Sequence, residues 1–293
     1  MKKSYLNSLV LLFLFIVSLS VKATTYFIGD SLSDPGALSF TFTDPLYYSK
    51  NNHTAGSGKI WTSYFQGISC SAYINLTCTN YAFGGSGVTF SSPYSNIDTS
   101  MKGQINLLSN SLSTNLYGNN NVIVWIGAND LIKSAQNNGN GIDQIKSTFV
   151  NNILALKNQT RGKVVSIYIM EIPTLLANSP FVTSNRLTNS LNNVISQFNS
   201  TIESIPGVTV VKSSDLSSCF PTPLSTNSAQ SVCQKSISPN QICGSVNNQL
   251  TTLNPASNFL FSDSLHPSSY THNTAAQCFD KNNLFGNSLS LIR

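Results

Sequence analysis

The sequence predicts an α/β fold: a three-layer α/β/α domain built on about five parallel strands. Two observations predict it. Five short apolar, β-favouring runs recur along the chain, and amphipathic segments with helical spacing lie between them. Alternation of this kind makes a parallel sheet covered on both faces, with right-handed crossovers. A third observation concerns where the runs stop. Three of them end in small, turn-forming residues, at Gly29, at Gly84-Gly85 and at Gly127.

Taken in order, the strand candidates are Tyr26–Ile28, Ile74–Tyr81, Val122–Ile126, Val164–Ile169 and Val208–Val211. Trp61, Tyr64, Phe65 and Ile68 fall at i, i+3, i+4 and i+7 after the first run. Met101, Ile105, Leu108 and Leu112 share one helical face, as do Ile142, Ile145, Phe149, Ile153 and Leu156. Leu187, Leu191, Val194, Phe198 and Ile202 make the longest stripe. Stripes of this kind pack a core rather than hold a ligand. Pro267 is expected to open the last helix. Two segments break the alternation. Residues 40–58 are polar and contain Asp44-Pro45 and Gly56-Ser57-Gly58, which reads as a surface loop. Residues 213–258 carry Pro221, Pro223, Pro239 and Pro255 and three cysteines. A long stretch without regular structure in a compact domain is commonly functional, and this one is expected to cover the site.

The first 23 residues have the pattern of a signal peptide. Lys2 and Lys3 precede an apolar core from Leu9 to Val21, and Val21-Lys22-Ala23 ends in small residues where a signal peptidase reads. The core is shorter than the roughly 20 residues a membrane span needs. Secretion, with cleavage after Ala23, is the expectation, leaving residues 24–293 as a single domain. Without Lys2, Lys3 and Lys22 the 16 basic residues fall to 13 against 11 acidic, a net charge of +2. A nucleic-acid binder would show clustered Lys and Arg, and this chain does not. Six cysteines in an exported chain suggest up to three disulfides. The expected pairs are Cys70–Cys78, Cys233–Cys243 and Cys219–Cys278. With no C-x-x-C pair and only three histidines, no metal and no cofactor is expected.

The chemistry concentrates at strand ends. In Thr25-Tyr26-Phe27-Ile28-Gly29-Asp30-Ser31, Ser31 follows the first strand, where open α/β sheets bind ligands. A serine hydroxyl needs a base to attack, and the base needs an orienting carboxylate. Asp263-Ser264-Leu265-His266 supplies both within one turn. Stabilising the oxyanion requires converging donors. Asn80-Tyr81-Ala82-Phe83-Gly84-Gly85 offers backbone N–H groups beside glycines, and Gly127-Ala128-Asn129-Asp130 offers a side-chain amide. Each piece alone has a plain structural meaning: a helix cap, a turn, an incidental histidine. Their coincidence on one rim points to a nucleophilic hydrolase.

Gly29-Asp30-Ser31-Leu32, Gly85, Gly127-x-Asn129-Asp130 and Asp263-x-x-His266 stand in the order of the four blocks of the GDSL esterases and lipases, the SGNH hydrolases, which the chain resembles from Phe27 to about Gln277. The resemblance implies a flavodoxin-like sheet, Ser31 as nucleophile, His266 as base and Asp263 as its orienter. It also implies an oxyanion hole from the Ser31 N–H, the Gly85 N–H and the Asn129 side chain, with Gly84 the other candidate in its loop. Within the family, Phe27-Ile-Gly-Asp-Ser-Leu-Ser-Asp34-Pro-Gly36, Asn80-Tyr-Ala-Phe-Gly-Gly85 and Val124-Trp-Ile-Gly-Ala-Asn-Asp130 look most like the bacterial secreted branch. That branch includes lysophospholipases A, glycerophospholipid:cholesterol acyltransferases and thermolabile haemolysins. Asp34-Pro35-Gly36 departs from the frequent Asp-Thr-Gly. The implied substrate is a lipid ester met at a membrane surface, with acyl transfer to a sterol as a second outcome. A short-chain or carbohydrate acetyl esterase is the alternative, and an inactive secreted binding protein is the alternative from another class. A G-x-S-x-G hydrolase is excluded, because that motif is missing and, after the expected cleavage, only Thr24 to Asp30 precede Ser31, room for one strand where that fold needs several.

Overall fold

The computed structural model describes residues 24–37, 48–49, 60–65, 79–113, 120–219, 225–228, 242–243, 259–261 and 264–286. The expected signal peptide at 1–23, most of the polar segment 40–58 and the cysteines Cys70, Cys78 and Cys233 fall outside them.

Four strands form one parallel sheet in the order β1 (Thr25–Gly29), β2 (Asn120–Trp125), β3 (Val164–Met170) and β4 (Thr209–Val211). The register runs from Thr25 opposite Asn121 to Gly29 opposite Trp125, and Met170 lies opposite Val211. On the free side of β1, Phe27 forms a parallel bridge with Asn80. Tyr81 N–H donates to the Phe27 carbonyl at 2.8 Å, and Phe83 N–H to the Gly29 carbonyl at 3.2 Å. The second expected strand thus contributes its end, 79–83, while residues 74–78 lie outside the described set. Counting that bridge, the order in chain sequence is 2-1-3-4-5, the flavodoxin-like arrangement. Its strand order reverses between β1 and β2, and ligands bind at such a switch point.

Helices cover both faces. A short 3-10 helix, Trp61–Phe65, and α6 (Ser269–Lys281) lie on one side. Trp61 is the centre of this layer. It meets Phe27, Trp125 and Phe279 edge-on and stacks on Phe285, with centroids 5.4 to 6.2 Å apart. The other side carries α1 (Met101–Ser113), α3 (Ile142–Gln159) and α4 (Asn185–Glu203), with α3 between the other two. Phe149 of α3 meets Phe198 of α4 edge-on at 4.9 Å. The stripes read from the sequence are the buried faces of these helices: Leu108, Ile153, Leu156, Val194, Phe198 and Ile202 are all fully enclosed. Full burial of one such side chain is worth roughly 1.5–3 kcal/mol. Ser184 caps α4 by accepting from Leu187 N–H.

Three expectations change. Pro267 does not open the last helix. It pairs with Phe261 in an antiparallel bridge, and Ser268 caps α6 by accepting from Thr271 N–H at 3.2 Å. A hydroxyl acceptor satisfies a free helix donor, which a proline ring cannot do. The segment 213–258 is also not without regular structure. It begins with a short helix α5 (Ser213–Ser218). It then sends Ser225–Ser228 to pair with Phe259–Phe261, and Ile242–Cys243 to pair with Tyr48–Ser49 of the early polar loop. The Trp61 element is a 3-10 helix that the structure describes only as far as Phe65. One expected disulfide is present: Cys219 is bonded to Cys278, tying the end of α5 to α6. Among the described residues, no helix is long and apolar enough to cross a membrane.

Candidate active site

Ser31 lies two residues past β1 in a tight turn whose geometry β1 itself dictates. Gly29 has no room for a side chain: a Cβ there would come within 2.7 Å of Ser33 Cβ and 2.9 Å of the Trp125 carbonyl. The Gln104 side chain also holds both backbone groups of Gly29, accepting from its N–H at 2.9 Å and donating at 2.8 Å to the carbonyl that Phe83 N–H shares. The turn is held by Ser33 N–H on the Asp30 carbonyl and by Leu32 N–H on Asp30 Oδ1 at 3.1 Å. Among the described residues, no acceptor takes the Ser31 N–H.

His266 reaches this turn from the other end of the chain. Its Nε2 lies 3.0 Å from Ser31 Oγ. Its loop is anchored on both sides, by Phe181 N–H donating to the Ser264 carbonyl at 2.7 Å and by the Pro267 bridge. Asp263 lies outside the described residues.

The loop after residue 83 presents its donors to the same rim. Asp34 Oδ2 accepts from Gly84 N–H at 2.8 Å, while Asp34 Oδ1 takes Gly36 N–H and Ala37 N–H. Gly84 N–H is therefore occupied, while among the described residues no acceptor takes the Gly85 N–H. Gly85 has φ +79°, a backbone state that disfavours any side chain. A Cβ there would also meet Ser92 Oγ at 3.0 Å. Asn129, in the first turn of α2 (Ala128–Gln136), donates through Nδ2 to the Ser86 carbonyl at 2.8 Å. That bond joins the expected amide donor to the expected backbone donor.

Four residues that shape the site were not assigned a role from the sequence. Asp34 organises the glycine loop. Asp130 accepts from Val88 N–H at 2.7 Å and from the Thr89 N–H and hydroxyl, so it fixes the other end of that loop. Asn80 donates to the Ser33 carbonyl at 2.8 Å and ties the second strand to the serine turn. Gln104 was legible as a lone polar residue between Met101, Ile105 and Leu108 on an apolar stripe, and Asp34 as the first residue of an Asp-Pro-Gly turn.

The electrostatics are those of a dry site. Burial pushes the Asp30 carboxyl up to about 7, opposed by the Leu32 N–H and by His266. Its Oδ2 is buried without a partner. Burial also raises Asp130 and Asp34 against the donors that surround them. Burial drives His272 down to about 3, with nearby His266 adding to the effect, so this second imidazole is neutral.

The GDSL-like lipase/acylhydrolase family matches residues 26–279, most of the chain. The chain belongs to that family. The serine turn, the glycine loop and Asn129 follow neighbouring strands of the parallel sheet, and His266 follows Phe259–Phe261 of a separate two-stranded sheet. No curated protein sequence matches the chain. Among solved structures it is similar to an acetylxylan esterase, Axe2, from Geobacillus stearothermophilus, at 16% identity and a TM-score of 0.40, covering 92% of this chain and 97% of that one. The serine-to-alanine catalytic mutant of that esterase gives 16% identity and a TM-score of 0.37 over the same shares. A protein of Agrobacterium tumefaciens str. C58, proposed to be an arylesterase, gives 12% identity and a TM-score of 0.42, covering 89% and 97%.

Proposed function

We propose that this GDSL-like carboxylic ester hydrolase is a secreted enzyme acting on lipid esters, a lysophospholipase A or phospholipase A that can also pass the acyl group to a sterol. The observation that carries the hydrolytic part is the 3.0 Å contact between His266 Nε2 and Ser31 Oγ. Ser31 attacks the ester carbonyl and His266 takes the hydroxyl proton. Asp263 holds the imidazole in the required tautomer. The tetrahedral oxyanion is held by the Ser31 N–H, the Gly85 N–H and the Asn129 amide. His266 then returns the proton to the departing alcohol. Water attacks the acyl-enzyme and releases the acid; a sterol hydroxyl in its place gives a new ester.

The lipid assignment rests on the motif likeness to the secreted bacterial branch. Fatty-acid release from lysophosphatidylcholine, set against acetate release from p-nitrophenyl acetate, tests the reading. A kcat/KM that favours the lysolipid supports it; hydrolysis of the acetate alone moves the enzyme to the acetyl esterases. Added cholesterol reveals any acyl transfer as cholesteryl ester.

A further inference from the structure

One buried side chain fastens the glycine loop beside Gly85. Thr99 lies two residues ahead of α1, and its hydroxyl accepts from Ser92 N–H at 2.8 Å and from the Ser86 hydroxyl at 3.0 Å. Both donors belong to residues that flank Gly85. Ser86 is its neighbour in the chain, and Ser92 Oγ lies 3.0 Å from where a Gly85 Cβ would stand. Ser86 also carries the carbonyl that takes the Asn129 amide. A single oxygen therefore collects bonds from the loop on two sides of Gly85.

The backbone of the same residue reaches the serine turn. The Thr99 carbonyl accepts from Gln104 Nε2 at 2.9 Å, and that nitrogen also donates to the carbonyl of Gly29, two residues before Ser31. Met101 N–H, at the start of α1, donates to the Gly87 carbonyl at 3.0 Å and holds the loop at a further point. Ser86, Ser92, Thr99 and Gln104 are each at most 3% exposed. A buried donor that loses its acceptor is costly, so without the Thr99 hydroxyl the loop would shift to pair its donors again. Gly85 would shift with it.

We propose that Thr99 is a positioning residue whose hydroxyl sets the place of the Gly85 N–H relative to the Ser31 turn. The assignment rests on the reading of Ser31 as nucleophile and of the Gly85 N–H as an oxyanion donor, and it deepens that reading. Thr99 acts through Ser86 and Ser92. A displaced donor fails where negative charge develops, so the loss falls on the transition state rather than on the bound ester.

Thr99→Val in the full chain keeps the side chain's shape and the carbonyl that holds Gln104, and it removes the hydroxyl alone. A misplacement of about 1 Å can cost about 10²-fold, so a smaller shift is expected to lower kcat/KM on p-nitrophenyl butyrate roughly tenfold, with KM within about twofold of the parent. The second readout is inhibition by n-propylboronic acid. Ser31 Oγ bonds to the boron, His266 takes the hydroxyl proton, and a boron-bound oxygen occupies the oxyanion position. Its Ki is expected to rise by the same factor of roughly ten. A variant that is only less stable loses rate through fewer folded molecules and keeps the parent Ki. Thr99→Ser, which retains the hydroxyl, is expected to stay within about twofold of the parent in both readouts. Ser86→Ala removes one of the two bonds and is expected to raise Ki roughly threefold, which carries the test if Thr99→Val does not fold. A parent Ki in Thr99→Val, a parent Ki in Ser86→Ala, or a Thr99→Ser variant as impaired as Thr99→Val overturns the proposal while the parent's hydrolysis stands. A parent chain that neither cleaves the ester nor binds the boronic acid overturns the hydrolase reading and this proposal together.

Discussion

The Asn129 side-chain amide donates to the Ser86 carbonyl across 2.8 Å, so it holds the glycine loop next to Gly85. On the proposed mechanism, Asn129→Ala removes one oxyanion donor and loosens the loop that carries another. A loss of roughly 10²–10³ in kcat is expected, with KM changed much less, since an oxyanion exists only along the reaction path. Steady-state kinetics on p-nitrophenyl butyrate checks it. A loss confined to KM contradicts the role.

Ser31→Ala and His266→Ala should each abolish most of the ester hydrolysis, by at least about 10³, and the double variant should lose little more than either alone. Circular dichroism melts should place both single variants near the parent. His272→Ala separates the two imidazoles. His272 is a buried neutral side chain. Its removal should lower the melting temperature while the residual kcat stays far above that of His266→Ala.

Asp30 makes stability fall as pH rises. Its carboxyl titrates near 7 in the folded chain and near 3.8 when unfolded. Between those values the folded chain holds a proton that the unfolded chain has released, so the stabilisation present below pH 3.8 is lost as pH climbs through 7. Asp30→Asn should flatten this part of the profile, and thermal melts from pH 4 to 8 measure it. A variant with the same slope as the parent rules the assignment out.

His272 acts in the opposite direction. The unfolded imidazole takes a proton below 6.5, whereas the buried one stays neutral down to about 3. Stability is therefore lost as pH falls from about 6.5 toward 3. His272→Leu should weaken the acid-side decline in urea unfolding midpoints. The two effects have opposite signs over nearly the same pH range and partly offset each other in the parent, so the two variants change the slope there in opposite directions.

Cys219 and Cys278 are 59 residues apart in sequence. Closing a loop of that size in the unfolded chain is worth about 4 kcal/mol on the chain-entropy account. Replacing both with Ser should lower the urea midpoint accordingly.

Periodicity made the sheet and its large helices readable. Strands buried on both faces, such as Val122–Trp125, read as unbroken apolar runs, and stripes such as Leu191, Val194, Phe198 and Ile202 repeat over several turns. The site was readable to the extent that chemistry fixes residue type: Ser31, Gly85, Asn129 and His266 are each hard to replace. The supports were not. Gln104, Asp34 and Asp130 act across 75, 50 and 42 residues of chain, and no local pattern announces a bond of that reach. The segment 213–258 misled for a related reason. Its Ser225–Ser228 and Ile242–Cys243 pairings join distant partners, and two to four residues are too few to show a period of two.

The Cys219–Cys278 linkage spans the stretch that holds His266. A protease that opens the backbone anywhere between Cys219 and His266 produces a fragment bearing the base and a fragment bearing the nucleophile, yet the sulfur bridge keeps them a single particle. Such a clipped enzyme would run as one band without reductant and as two with it. Thiols, rather than the cut itself, would decide whether the two halves of the reaction stay in company.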